Sequence, residues 1–400
     1  MRVLDLTRVL AGPWASQLLG DYGADVIKVE KPGTGDDTRS WGPPWLTDAD
    51  GQPTGDSAYF LSTNRNKRSI CIDLAHAEGV GIVRELARKS DVLLENFRAG
   101  TMRRFGLDYD ALKDINPGLV YCSITAYGQT GSRSARPGYD AMVQASGGLM
   151  SITGESNGPP QKVGVAIADI MAGMYAATAV LAAVCARQES GAGQYVDVPL
   201  YDTQVAWLAN QAMNFLVGGS VPGRLGTAHP NLVPYQAFPT SDSHIMLAIG
   251  SDRQFADCVT CLGLGELARD DRYATNAARV MNRHDLVERM SAAFSGQATE
   301  HWLRVLGERR VPAGPINNVG EVFSEDYAYE REFVRHNTHP RASEVPTVAN
   351  PVRFSSSQVE YRFAPPLHGQ HTAEILAGEL GLSDGEIDRL ASVGAIQVGA

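Results

Sequence analysis

The chain of 400 residues is short of the signatures by which most catalytic chemistry is recognised. No G-x-G-x-x-G follows its first predicted strand, which argues against a nicotinamide cofactor, and no Walker loop occurs. There is no H-E-x-x-H, and the nine histidines form no dense cluster with acids, so a metal-dependent hydrolase is not indicated and no metal site is expected. The lack of a G-x-S-x-G elbow disfavours an α/β-hydrolase. Positive charge is in deficit: 35 Lys and Arg face 45 Asp and Glu, for a net charge of −10, whereas a nucleic-acid partner wants a basic face. Cysteine is scarce. Five residues (Cys71, Cys122, Cys185, Cys258, Cys261), odd in number and mostly within apolar runs, point to reduced thiols in a cytoplasmic protein. Cys258-x-x-Cys261 lacks a second pair and sits at helical spacing, so it is not taken as a metal site. Long hydrophobic runs are nearly missing too. The longest uncharged helical stretch, Ile170 to Ala186, is marginal for a membrane span and rich in Ala, and is expected in the core. The opening MRVLDLTRVLAG carries charges inside its apolar run and reads as a strand, not a signal peptide.

What is present is ordinary globular material. Its length exceeds one core, so about two domains are expected. Val3–Leu6 reads as a buried strand, Trp14–Tyr22 as a helix behind Pro13, and Ala24–Glu30 as a second strand. A strand–helix–strand unit this compact implies parallel pairing and a Rossmann-like sheet. Polar segments then fall at strand carboxyl ends, where such sheets bind ligands: Lys31 to Arg39, and Glu95-Asn96-Phe97-Arg98. The positive run Asn64 to Arg68 reads as a solvated face, or as a phosphate contact. Further strands are expected at Ser69–Leu74, Asp91–Leu94, Gly118–Ile124 and Gln194–Val198, with one helix over Leu200–Leu216. The Gly- and Ser-rich loop Ala126–Gly138 is long enough to be functional. Residues 1–217 form the first part of a large domain. The glycine- and proline-dense stretch 218–234 reads as a linker or lid. Residues 235–325 make a smaller domain, and 326–400 return to the large one, with Pro351–Phe354 as a strand. His368 and His371 suit a cap or the surface better than metal ligation.

The stretch Val163 to Arg187 holds a single carboxylate, Asp169, ahead of an uncharged run. Met171, Met174, Tyr175, Thr178, Leu181, Ala182 and Cys185 recur at helical spacing, which predicts a buried helix starting at or just after Asp169. Gly173 and its alanine neighbours allow another backbone to approach closely. An Asp at a helix start meets unpaired N–H groups and the positive end of the dipole, which favour the ionised form. Such a carboxylate is either an N-cap or a nucleophile. Asp140, beside another glycine-rich loop, is the second candidate. Spacing alone goes no further.

Several runs together carry a resemblance. V-L-D-L-T-R-V-L-A-G-P (3–13), G-A-D-V-I-K-V-E-K-P-G (23–33), G-D-D-T-R (35–39), N-R-N-K-R-S-I (64–70), D-V-L-L-E-N-F-R-A-G (91–100), G-Y-D (138–140), A-D-I (168–170) and G-Q-H-T (369–372) are similar to family III CoA-transferases of the CaiB/BaiF type, over nearly the whole chain. G-T-A-H-P-N-L-V-P-Y-Q-A-F (226–238) and V-P-A-G-P-I-N-N (311–318) look most similar to the succinate–hydroxymethylglutarate type. The resemblance implies an α/β fold in which a Rossmann-like large domain and a smaller domain belong to an interlocked homodimer. It implies Asp169 as nucleophile, passing an acyl group from an acyl-CoA through an acyl–aspartyl anhydride and an aspartyl–CoA thioester to a carboxylic acid, here a dicarboxylate. No tightly bound cofactor is implied, CoA and acyl-CoA being substrates. CoA is expected at Leu10, Ala11, Lys31, Ile72, Asp73, Leu74, Ala75, Asn96, Phe97, Arg98, Arg104, Tyr139 and Asp140. Leu10 stands where oxalate-using members carry Gln, which disfavours oxalate. The alternative is a 2-methylacyl-CoA racemase. That branch carries Gly-His-Asp where this chain has Gly138-Tyr139-Asp140, and a tyrosine is a poor second base near neutral pH. A non-catalytic CoA-binding protein is the remote alternative. Arg39, Arg133, Arg136, Arg224 and His229 are candidates for the distal carboxylate of an acid.

Overall fold

In the computed structural model, which describes residues 1–399, the short apolar runs build one seven-stranded sheet. Its order is Ile396–Gln397, Lys67–Ile72, Asp25–Glu30, Arg2–Asp5, Val92–Glu95, Val120–Thr125, Tyr195–Pro199. All neighbours pair in parallel except Ile396–Gln397, which runs antiparallel to Lys67–Ile72. The chain steps outward from Arg2–Asp5 to Lys67–Ile72, then returns to the other side of its first strand at Val92–Glu95. At such a reversal the loops after the two central strands diverge and leave a crevice at the carboxyl edge. One face of the sheet is covered by helices Ala77–Arg88, Thr372–Leu380 and Asp384–Ser392, packed over Leu4, Ile27 and Leu93. Helices Ala11–Asp21 and Ile167–Ser190 cover the other, over Val3, Val26, Val92 and Cys122.

Two compact units divide the chain. The first is Met1–Leu149, Val163–Ala212 and Tyr327–Ala400; the second is Met150–Lys162 and Met213–Asp326. The second unit carries a three-stranded antiparallel sheet (Ala313–Pro315, His244–Ala248, Tyr235–Pro239) and a core around Phe238, Phe255, Phe294 and Trp302. Residues 150–162, expected in the large domain, cluster with this unit. Gly226 N–H donates to Gly154 O at 3.0 Å, and Arg224 donates to Glu155 O at 3.2 Å and Gly158 O at 2.7 Å. Part of the stretch read as a linker is thus tied down within its own unit.

Four local expectations fail for physical reasons. Leu200–Leu216 is two helices, Leu200–Ala206 and Ala209–Gly218, broken where Ala209 takes φ 49°. Pro351–Phe354 forms no strand; Pro351 has no N–H for a ladder, and the pairing in this region is Val334–Thr338 with Glu344–Val348. The positive run is not solvated. Asn64, Arg65, Asn66 and Lys67 are all buried, and Arg65 grips the buried Asp21 carboxylate through two bonds of 2.9 and 2.6 Å.

The fourth concerns the long helix, Ile167–Ser190. Its inner face is Ala168, Ala172, Gly173, Ala176, Ala177, Val180 and Ala183, not the bulkier stripe picked out by spacing. Small residues win because the helix lies close on Ala11–Asp21: a Cβ on Gly173 would sit 2.6 Å from Ala11 O. Met174, Tyr175 and Leu181 face outward, between 38% and 43% exposed. Length and mean hydropathy alone would let this helix pass for a membrane span, and the packing of its small-residue face accounts for it otherwise.

Candidate active site

The crevice at the switch point is a cavity of about 360 Å³ within the first unit. Arg8 to Ala11, after the first strand, form one wall, and Asn96 to Ala99, after Val92–Glu95, form another. The loop Ser134–Tyr139 and Asp169 complete it, with Thr101 and Arg104 at one side. Local bonds lock these walls together. The Asn96 side chain accepts from Arg8 N–H at 2.9 Å and donates to Arg8 O at 2.7 Å. Glu95, buried at the strand end, accepts from Phe97 N–H at 2.8 Å, and burial pushes its carboxyl up to about 7. The Arg8 guanidinium lies 5.0 Å from the Phe97 ring centre and 3.6 Å from Asp37.

Asp169 lies in the first turn of the long helix, not at its cap. The capping comes from elsewhere: Asp140 accepts from Ala168 N–H at 2.8 Å, and its other oxygen accepts from Gln144 at 2.8 Å. Among the described residues no donor reaches the Asp169 carboxyl. Burial, with the negative charge of Asp140 behind it, pushes Asp169 up to about 7. The shift is upward, so the expectation of a carboxylate held ionised by the helix start is corrected. The site thus contains a half-buried acid on a cavity wall whose lining also holds arginines. Of these, Arg98 and Arg136 have no ion-pair partner among the described residues, whereas Arg104 leans on Thr101 at 3.3 Å.

The structure brings together Leu10, Ala11, Asn96, Phe97, Arg98, Arg104, Tyr139 and Asp169 on one cavity. Asp140 stands behind the wall, and Asn96 faces the cavity while bonding a loop. Lys31 and Asp73 to Ala75 follow the next two strands along the same carboxyl edge, beyond the cavity; Ile72 is buried in the sheet and can offer only backbone. Arg39 is no candidate for a substrate carboxylate. It pairs with Glu30 through two 2.7 Å bonds and stacks 3.7 Å from the Phe60 ring centre. Arg133 covers the Tyr201 ring, His229 accepts two backbone N–H groups of its own turn, and Arg224 is bound as described above. Only Arg136 of that set lines the cavity. Sequence reasoning missed Arg8 and Val9, although both lie within two residues of Leu10, and missed Asp37 inside a loop already marked as ligand-facing.

Comparison with known proteins identifies the family. The model of the family described as CoA-transferase family III matches residues 1–372. A succinate–glutarate CoA-transferase of Agrobacterium fabrum is 46% identical over 377 residues, 94% of either chain. A mouse succinyl-CoA:glutarate CoA-transferase is 44% identical over 397 residues, 99% of this chain and 89% of its own length. Among solved structures, a CaiB/BaiF family protein from Brucella suis superposes with a TM-score of 0.83 at 45% identity, covering 95% of this chain and 98% of that one. A family model over nearly the whole chain, joined to relatives this similar along their length, makes the assignment: this enzyme belongs to CoA-transferase family III.

Proposed function

We propose that this CoA-transferase carries CoA between dicarboxylic acids, with succinyl-CoA as a donor and glutarate as an acceptor, and with Asp169 as the nucleophile. The observation that carries the reading is the Asp169 carboxyl on the wall of the switch-point cavity, free of donors among the described residues, in a lining that also holds Arg98 and Arg136. The substrates are drawn from the relatives named above.

The ionised Asp169 oxygen attacks the thioester carbonyl. The C–S bond breaks, CoA leaves as thiolate, and an acyl–aspartyl anhydride forms. The thiolate then attacks the aspartyl carbonyl and expels the donor acid, which leaves an aspartyl–CoA thioester. An acceptor carboxylate attacks that thioester, and the same two steps run backwards to give the new acyl-CoA. Each step exchanges one activated acyl group for another, so no ATP is required. The anhydride survives only where water is kept out. CoA lies along the carboxyl edge of the sheet, from Leu10 and Ala11 past Asn96 to Arg98 and Arg104, and on toward Lys31 and residues 72–75. Asp140 serves as the long helix's cap, with both oxygens engaged, and Tyr139 stands where the racemase branch carries its His, which disfavours racemisation. The enzyme works as an interlocked homodimer in the cytoplasm; the outward Met174, Tyr175 and Leu181 support a second copy against the long helix.

The test is a panel of succinyl-CoA and acetyl-CoA donors against dicarboxylate acceptors, run with Asp169→Ala beside the parent enzyme. Transfer is expected for at least one pair, with a hydroxylamine-sensitive CoA adduct on the parent and neither in the variant. An Asp169→Ala protein that transfers CoA within about tenfold of the parent rate would remove Asp169 from the chemistry.

A further inference from the structure

The backbone that forms the Arg8–Ala11 wall is not in a relaxed conformation. Val9 has φ 70°, in the left-handed region that a β-branched side chain strongly disfavours. Something must hold it there, and the structure shows what. Val9 N–H donates to Asp36 Oδ1 at 3.2 Å. Asp36 is held in turn by Lys28, whose ammonium donates to Asp36 Oδ2 at 2.9 Å. The same ammonium donates to Thr7 O, also at 2.9 Å. Lys28 therefore grips the loop twice, directly at Thr7 and through Asp36 at Val9, while Asn96 clamps Arg8 between them. Lys28 lies on the second strand and is fully buried, as is Asp36 to within 1%.

We propose that Lys28, acting through Asp36, is a positioning residue for substrate: the buried pair holds the strained wall that seats acyl-CoA beside Asp169. A buried ion pair is a poor device for stability alone, since apolar residues of similar volume often hold a fold as well or better. Apolar residues cannot hold a carbonyl and an amide of a strained loop in fixed places. The pair touches no reacting atom. Its effect on the reaction passes through the loop, whose Leu10 and Ala11 face the cavity. The inference rests on the proposed seat for acyl-CoA, and its test separates the two.

The experiment compares the parent enzyme with Lys28→Met/Asp36→Leu, varying succinyl-CoA at saturating glutarate and then the reverse. The expected result is a rise of about tenfold or more in KM for succinyl-CoA with KM for the acid changed less than about twofold, in a protein whose circular dichroism matches the parent. Adding Val9→Gly should recover roughly threefold of that loss, because glycine adopts φ 70° without steric cost. A fold defect alone would not raise one KM selectively, nor yield to a glycine at residue 9. A folded double variant with KM for succinyl-CoA within about twofold of the parent overturns the inference. If that variant does not fold, Asp36→Asn replaces it: an amide weakens the grip of Lys28, and no change in KM for succinyl-CoA then overturns the inference equally. A parent enzyme that forms no adduct at Asp169 removes the seat itself, and the inference with it; a parent that forms one while the variant is unchanged removes the inference alone.

Discussion

Burial and the Asp140 charge, which push Asp169 up to about 7, leave its side chain near half-protonation at pH 7. Only the ionised form attacks a thioester. The rate of adduct formation, followed by quenching and intact-mass measurement, should therefore climb by about tenfold per pH unit below 7 and level off above it. Asp140→Asn keeps an oxygen for Ala168 N–H and removes the neighbouring charge, so the midpoint should move to lower pH. Stability should show the opposite cost. A carboxyl with a raised folded-state pKa is penalised above that value, and the penalty fades as pH falls toward its unfolded value near 3.8. Asp169→Asn should accordingly stabilise the inactive protein at pH 8, by on the order of 2 kcal/mol, and should lose that gain near pH 4; thermal melts at the two pH values decide it. The carboxylate itself was legible as one acid ahead of an uncharged helix. Its protonation was not, because the like charge of Asp140 sits on another helix and the desolvation belongs to the packed site.

The six parallel strands of the main sheet and most helices of the first unit could be located from apolar runs and their breaks, often within two or three residues, whereas the antiparallel Ile396–Gln397 and the pair Val334–Thr338 with Glu344–Val348 could not. The charged positions inside those strands could not. Lys28 draws no notice inside its apolar strand and Lys67 reads as part of a solvated positive run, yet both are fully buried, Lys67 at 3.4 Å from Asp5 with its ammonium pushed down to about 7 by burial. Their partners, Asp36 and Asp5, lie in a loop and another strand, and no local pattern pairs them. The long helix misled in another way: periodicity finds a stripe, but not which stripe faces in, and here close packing chose the small one. Its key contact is testable. Gly173→Val would push a side chain into Ala11 O and Trp14, so a loss of about 3 kcal/mol in urea unfolding is expected, against well under half that for Gly164→Ala, where a Cβ meets nothing within 4 Å.

For the molecule as a whole, the outward apolar stripe sets the expectation about assembly. Met174→Glu with Leu181→Glu should lower the melting temperature of the dimer by several degrees, because interlocked chains cannot part while folded; a parent that is monomeric in light scattering would defeat the proposed pairing. The split of the first unit has its own consequence during synthesis. The segment from Thr372 to Gln397 supplies Ile375, Leu376, Ile387, Leu390, Ala395 and Ile396 to a core whose other members come from the chain's opening third. A nascent chain must then expose the flank of its central sheet until the final segment clears the ribosome tunnel, a natural docking period for a chaperone.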